Sequence, residues 1–275
     1  MSPREARTIV CPSCGRLTRA NAAECFVCGR RRPGLWGLTT LFQRLFRGAG
    51  NTDAITVTCL ALYVASLIFD PSAALRPRGM FDVFAPSSEA LWTLGATGAI
   101  PWHLGRWWTV LTAIYLHGGV LHIVFNLLWI RQLGPAIEQL YGPARFLVIF
   151  TAAGAFGFVV SNVVGVPRTV GASGSTFGLL GALVAFGQKR GGLFGRLVLR
   201  EYGVWAVILF VYGLLPGTGV NNWAHAGGFA GGFTAGWLLA LAERRAESTL
   251  DHVLAGAAIV LTLLAFGLTV WAALA

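Results

Sequence analysis

Seven apolar runs dominate this chain, and their length limits what it can become. They lie at about 54–70, 108–130, 145–166, 173–188, 202–217, 223–242 and 252–275. A helix needs roughly 20 residues to cross about 30 Å of hydrocarbon, and most of the runs approach or reach that length. Backbone amides in lipid have to be satisfied within the segment, so such runs read as membrane helices. Composition points the same way, since 55% of the residues are hydrophobic and only 12% charged, unlike a soluble domain. The first 35 residues are polar, basic and cysteine-bearing. No cleavable signal peptide is expected there, and the first run would serve as an uncleaved insertion signal.

A net charge of +10 invites a nucleic-acid reading, but its distribution favours a bilayer. With a cytosolic N-terminus and seven spans, Arg76, Arg78, Arg106 and Arg168 face outward and the remaining Lys and Arg face inward. That is the positive-inside bias of a multi-pass protein of the cell (inner) membrane. The basic balance is then topology and anchoring to anionic lipid, and nucleic acid is disfavoured as a partner.

Residues 1–35 carry Cys11-Pro-Ser-Cys14-Gly15 and Cys25-Phe-Val-Cys28-Gly29. Two Cys-x-x-Cys knuckles offer four thiolates to one structural zinc ion. Disulfides are the weaker reading for a segment in a reducing cytosol. The module is too small to bury a core, so the metal would hold it folded. Its resemblance to short zinc ribbons implies a docking or regulatory appendage with a partner of its own. Residues 36–50 read as an amphipathic linker whose Trp36, Leu41, Phe42, Leu45 and Phe46 suit the inner leaflet. The long connection 71–106 is rich in apolar residues, which predicts short helices half-sunk in the outer leaflet rather than free coil.

Chemistry concentrates in two stretches. Gly171-Ala172-Ser173-Gly174 opens the fourth run, and Ala224-His225-Ala226-Gly227-Gly228 opens the sixth. From Ser173 to the Lys189-Arg190 pair the fourth helix measures roughly 24 Å, short of the hydrocarbon thickness of about 30 Å. Ser173 therefore lies below the outer surface, and irregular backbone before it is tolerable only beside a wet, protein-lined cavity. Gly174 and Gly178 form one small-residue stripe and Gly228, Gly232 and Gly236 another, the pattern that lets membrane helices approach closely. A serine nucleophile needs an adjacent base, and neutral imidazole suits that role near pH 7. No Asp or Glu occurs in the outer halves of these two runs, so the expectation is a Ser173–His225 dyad and slow turnover. His122 and Asn126, four apart, share a helix face; taken alone they fit a functional pair or an interhelical hydrogen-bond clamp. Glu138 reads as a structural tie.

These motifs resemble those of the rhomboid family of intramembrane serine proteases. Gly171-Ala-Ser173-Gly174 is similar to its Gly-x-Ser-Gly, and Ala224-His225 with Gly228 and Gly232 to its Ala-His-x-x-Gly-x-x-x-Gly. His122-Ile-Val-Phe-Asn126 resembles its His-x-x-x-Asn, and Gly134 to Gly142 the segment that follows. The resemblance implies an all-α membrane protein, a six-helix bundle over 51–245 with one added C-terminal helix over 246–275 (6+1) and the small N-terminal zinc ribbon. It implies Ser173 as nucleophile, His225 as base, His122, Asn126 and the Ser173 amide as oxyanion donors, and Phe177 as aromatic support for the histidine. Helix packing would rest on Gly171, Gly174, Gly178, Gly228 and Gly232. It further implies no cofactor for catalysis, single-pass transmembrane proteins as substrates and an active site opening to the outer side. Where the family often has Trp-Arg in the outer loop, this chain has Trp107-Trp108-Thr109, leaving the anchoring of that loop open. An inactive relative would have lost Ser or His, and a transporter would show repeats and paired broken helices; neither pattern is present.

Overall fold

Glycine and proline set the helix boundaries along this chain. The computed structural model describes residues 8–10, 17–19, 22–29, 50–74, 84–239, 241 and 246–274. They fall into two units divided after Gly50. In the first unit β1 (Thr8–Val10) pairs antiparallel with β2 (Leu17–Arg19), Val10 opposite Leu17. A turn follows at Cys25–Gly29, closed by a hydrogen bond from Gly29 N–H to Cys25 O at 2.8 Å, with Gly29 at φ +69°. Cys11 and Cys14 lie outside the described residues, as does the proposed amphipathic linker apart from Gly50.

The second unit holds seven long helices among the described residues. These are α1 (Asn51–Phe69), α2 (Val120–Tyr141), α3 (Pro143–Val163), α4 (Ser173–Arg190), α5 (Gly192–Tyr212), α6 (Asn222–Leu238) and α7 (Thr249–Leu274). By length and composition α1, α2, α3 and α7 suffice to cross a membrane. Gly142 alone, at φ +107°, separates α2 from α3, and Pro143 then starts α3, where its missing N–H costs nothing. Gly191, at φ +62°, likewise joins α4 to α5.

Two of the expected spans are displaced. The run at 108–130 is broken by Gly118-Gly119, so Thr109–Thr112 and Ala113–Tyr115 are short helical turns and α2 begins only at Val120. The run at 202–217 is shifted toward the N-terminus, because Arg196 and Arg200 sit inside α5, which begins at Gly192 and ends before Pro216. Long basic side chains can lie along a helix end and still reach water. Within the connection from α1 to α2 the described segments Pro71–Ala74, Ser88–Thr93 and Ala99–His103 are short helices, and Phe84, Ile100, Leu104 and Trp107 are exposed.

Helix α6 is the packing centre, wedged between α4 and α3, while α5 leans on α4 and barely touches α6. At the end away from Ser173, Tyr141 donates to Ala182 O at 2.9 Å and Gly236 O at 3.2 Å, bridging α4 and α6. Lys189 Nζ reaches Trp237 O at 2.6 Å and Leu239 O at 2.8 Å, closing the C-terminus of α6. Two carboxylates serve as caps for other helices. Glu138 accepts from Thr52 N–H and Oγ1 at the start of α1, at 2.8 and 2.7 Å. Glu247 accepts from the amides of Ala144 and Arg145 at the start of α3, at 2.7 and 3.0 Å. First-turn amides lack intrahelical partners and favour negative charge, so both contacts are stabilising.

Helix α7 docks on α3 and is pinned at both ends. Buried Arg145 pairs with buried Asp251 at 2.9 Å, and Trp108 Nε1 donates to Thr269 Oγ1 at 3.1 Å. The connection from α1 to α2 is therefore anchored through Trp108 although no arginine follows it. Arg106 lies over the Trp92 ring at 4.6 Å and donates to Trp92 O at 3.2 Å. Thr109 donates to Arg106 O at 2.7 Å and bonds Thr97 Oγ1 at 3.0 Å.

Candidate active site

Helices α4 and α6 run parallel, and their glycines interlock. Gly174 stands opposite Gly228, Gly178 opposite Gly232 and Ala182 opposite Gly236, at a constant offset. A Cβ on Gly228 would lie 2.7 Å from Gly174 C and 3.0 Å from its Cα; one on Gly232 would run into the Gly178 backbone. Helix α3 joins from the other side, where a Cβ on Gly157 would sit 3.1 Å from Gly228 N. The motif at Gly154 and Gly157 was legible as small-x-x-small but was not among the expected packing residues.

This interlock brings the heads of α4 and α6 together. Ser173, half-buried, is the first residue of α4, and an added Cβ on its neighbour Gly174 would lie 3.4 Å from Ala224 O. His225 is 6% exposed and stacks on Phe177, with ring centroids 4.1 Å apart and planes 16° from parallel. Long side chains on a helix lean toward its N-terminus, so Phe177, one turn into α4, reaches back to the imidazole. His225 Nδ1 makes no hydrogen bond among the described residues. The ring also lines an apolar groove of about 360 Å³ that Ala206, Val207 and Phe210 of α5 share with Phe229 of α6.

On the opposite side, His122 faces the approach to Ser173. A Cβ on Gly171 would lie 2.6 Å from His122 Nε2. Gly171 has φ +125° and is tied by its N–H to Ala113 O at 2.9 Å, so glycine is required there on both steric and conformational grounds. Gly118 N–H donates to His122 Nδ1 at 3.3 Å. An Nδ1 that accepts assigns the neutral ring's proton to Nε2, the nitrogen aimed toward Gly171. Asn126 is 6% exposed and donates through Nδ2 to His122 O at 2.8 Å, leaving its second amide hydrogen for another acceptor. The ring of His117 packs edge-on against His122 at 5.2 Å. The structure thus gathers Ser173, His225, His122, Asn126, Phe177 and Gly171 at one end of the bundle. Cys11, Cys14, Cys25 and Cys28 belong to the other unit, and among the described residues no group of three or more metal-ligating side chains occurs.

The Rhomboid domain family matches residues 104–242, from the loop before α2 through α6. Three curated relatives illustrate the likeness. Rhomboid protease GluP of Bacillus subtilis is 39% identical over 142 residues, covering 50% of this chain and 27% of that protein. RHOMBOID-like protein 7 of Arabidopsis thaliana is 34% identical over 191 residues, covering 66% of this chain and 56% of the relative. Putative rhomboid protease YdcA of B. subtilis is 33% identical over 147 residues, covering 51% of this chain and 71% of the relative. The chain thus spans about a quarter of the first relative and just over half of the second. A family match across half the sequence, over the helices that carry the serine, the histidines and the interlocking glycines, shows that the chain belongs to the rhomboid family.

Proposed function

We propose that this chain is an intramembrane serine endopeptidase that hydrolyses peptide bonds in or near transmembrane segments, with Ser173 as nucleophile and His225 as its general base. The observation that carries the reading is the stack of His225 on Phe177 across the glycine interlock, which holds an imidazole against the first turn of the serine's own helix. In the reaction, Ser173 Oγ attacks the scissile carbonyl carbon while His225 takes its proton. The resulting oxyanion accepts from the Ser173 N–H, a first-turn amide with no intrahelical partner, and from His122 Nε2–H and Asn126 Nδ2. Collapse expels the amine with the proton from His225, and water then hydrolyses the acyl-enzyme by the same route. Oxyanion donors are worth about 10²–10³ in kcat in soluble proteases. Asn126→Ala is accordingly expected to lower kcat by about 10²-fold with little change in KM, measured on a reconstituted transmembrane reporter.

The direct test is covalent labelling with a fluorophosphonate, followed by peptide mapping. Modification of Ser173, lost in Ser173→Ala, supports the assignment. A fully folded protein that is labelled elsewhere or not at all overturns it. Substrates are single-pass membrane proteins entering from the bilayer, consistent with the apolar groove that flanks His225. The N-terminus is cytosolic and the site opens outward, a reading supported by the charge distribution.

The N-terminal unit is proposed to hold one structural zinc ion through Cys11, Cys14, Cys25 and Cys28 and to dock a regulatory partner. Two features favour this fit: β1 and β2, which flank the first knuckle in sequence, pair with each other, and the Gly29 turn closes back on Cys25. Elemental analysis of the full-length protein should find about one zinc per chain, lost in Cys25→Ser/Cys28→Ser, whereas protease activity in detergent should not require it.

A further inference from the structure

In a catalytic triad a buried carboxylate holds the imidazole in one orientation. Here His225 Nδ1 meets no acceptor among the described residues, so the ring must be aimed by its stack on Phe177 and by the backbone that bears it. That backbone is the first turn of α6, and a single side chain governs it. Asn221, just before the helix, accepts through Oδ1 from Ala224 N–H at 3.1 Å. Its own carbonyl accepts from His225 N–H at 3.1 Å. Through Nδ2 it donates to Ser161 Oγ at 2.6 Å and to Thr169 Oγ1 at 3.1 Å.

Those two hydroxyls belong to different parts of the site. Ser161 is fully buried on α3. Thr169 lies on the connection that delivers Gly171 and Ser173, and this connection is itself fastened by paired backbone hydrogen bonds between Thr97 and Thr169 at 2.7 and 3.2 Å. One amide therefore ties the histidine's helix to the serine's approach segment and to the helix behind both. Serine or threonine could cap α6 equally well, but neither could also donate to two hydroxyls while its oxygen accepts from Ala224. An amide does all three at once.

We propose that Asn221 is a positioning residue, which sets the height and rotation of His225 relative to Ser173 in place of a triad carboxylate. The proposal rests on the dyad reading above. In full-length protein cleaving a transmembrane reporter, Asn221→Ala should lower kcat by about 10- to 100-fold, the scale of ångström-level misplacement, with KM unchanged. The rate of fluorophosphonate labelling should fall in parallel, while the unfolding temperature drops only by the few degrees that loss of a helix cap costs. Asn221→Asp should restore most of kcat, because its carboxylate still caps Ala224 and both hydroxyls can turn to donate to it.

Wild-type kcat in Asn221→Ala overturns the proposal. So does a loss that merely follows a smaller fraction of folded, titratable sites, or a loss that Asn221→Asp leaves unrepaired. If Asn221→Ala cannot be recovered folded, Ser161→Ala and Thr169→Val decide: each should lower kcat severalfold, and wild-type turnover in both overturns the idea. Ser173→Ala separates this test from its premise, since cleavage surviving in that variant sinks the dyad itself whatever Asn221 does.

Discussion

Replacing Ser173 by alanine is expected to reduce cleavage of a transmembrane reporter to the assay background, and His225→Ala is expected to reach the same floor. The double variant should be no slower than either single one. Members of a nucleophile–base unit act as one device, so removing the second after the first costs almost nothing further. The size of the drop depends on how fast the intact protein is. Loss of the aspartate's contribution alone costs about 10⁴-fold in a soluble triad protease, and no acidic residue occurs in the Ser173- and His225-bearing halves of α4 and α6. Wild-type turnover is therefore expected to be slow, and the loss that can be read is bounded by the assay background even where the true loss is larger. Single-turnover measurements at high enzyme concentration give the cleanest reading. Residual cleavage by Ser173→Ala above that of the double variant would mean that another group supplies the nucleophile.

Much of this arrangement was legible in the residues. Glycine stripes on two helices, each headed by a reactive side chain, allow the helices to pack closely along the stripes, and Gly174 against Gly228 and Gly178 against Gly232 are in contact. Hydropathy was a poorer guide to where helices begin. A sliding window cannot see that Gly118-Gly119 interrupts an apolar run, or that α5 carries Arg196 and Arg200 within its first turns. Partners distant along the chain were hidden as well. Arg145, which reads as one more inward-facing charge, is fully buried against Asp251, and Trp108 is held by Thr269, 161 positions away. Asn221 left a local signal, a polar residue preceding an apolar helix, but its ties to Ser161 and Thr169 arise only once α3 and the Ser173 connection fold beside it.

The second large effect concerns a residue that touches no substrate. Gly232→Ala adds one methyl group, and in an isolated helix that change stabilises by about 1 kcal/mol. In this chain the added carbon meets Gly178 O, C and Cα, main-chain atoms that no rotamer change can move. Overpacking of this kind costs typically about 1–3 kcal/mol and sometimes more, so the clash outweighs the propensity gain and the helices must separate. Separation at Gly232 is transmitted to the head of the pair, because the two stripes share one register up to Gly228 and Gly174. Ångström-level displacement of a reacting group costs about 10²-fold in rate. Gly232→Ala should therefore lower both the unfolding temperature and kcat. The matched control is Gly256→Ala on α7, where an added Cβ has nothing within 4 Å; it should be neutral or stabilising by up to about 1 kcal/mol, with full activity. Equal behaviour of the two variants in detergent unfolding and reporter cleavage would show that the α4–α6 interlock does not set the distance between Ser173 and His225.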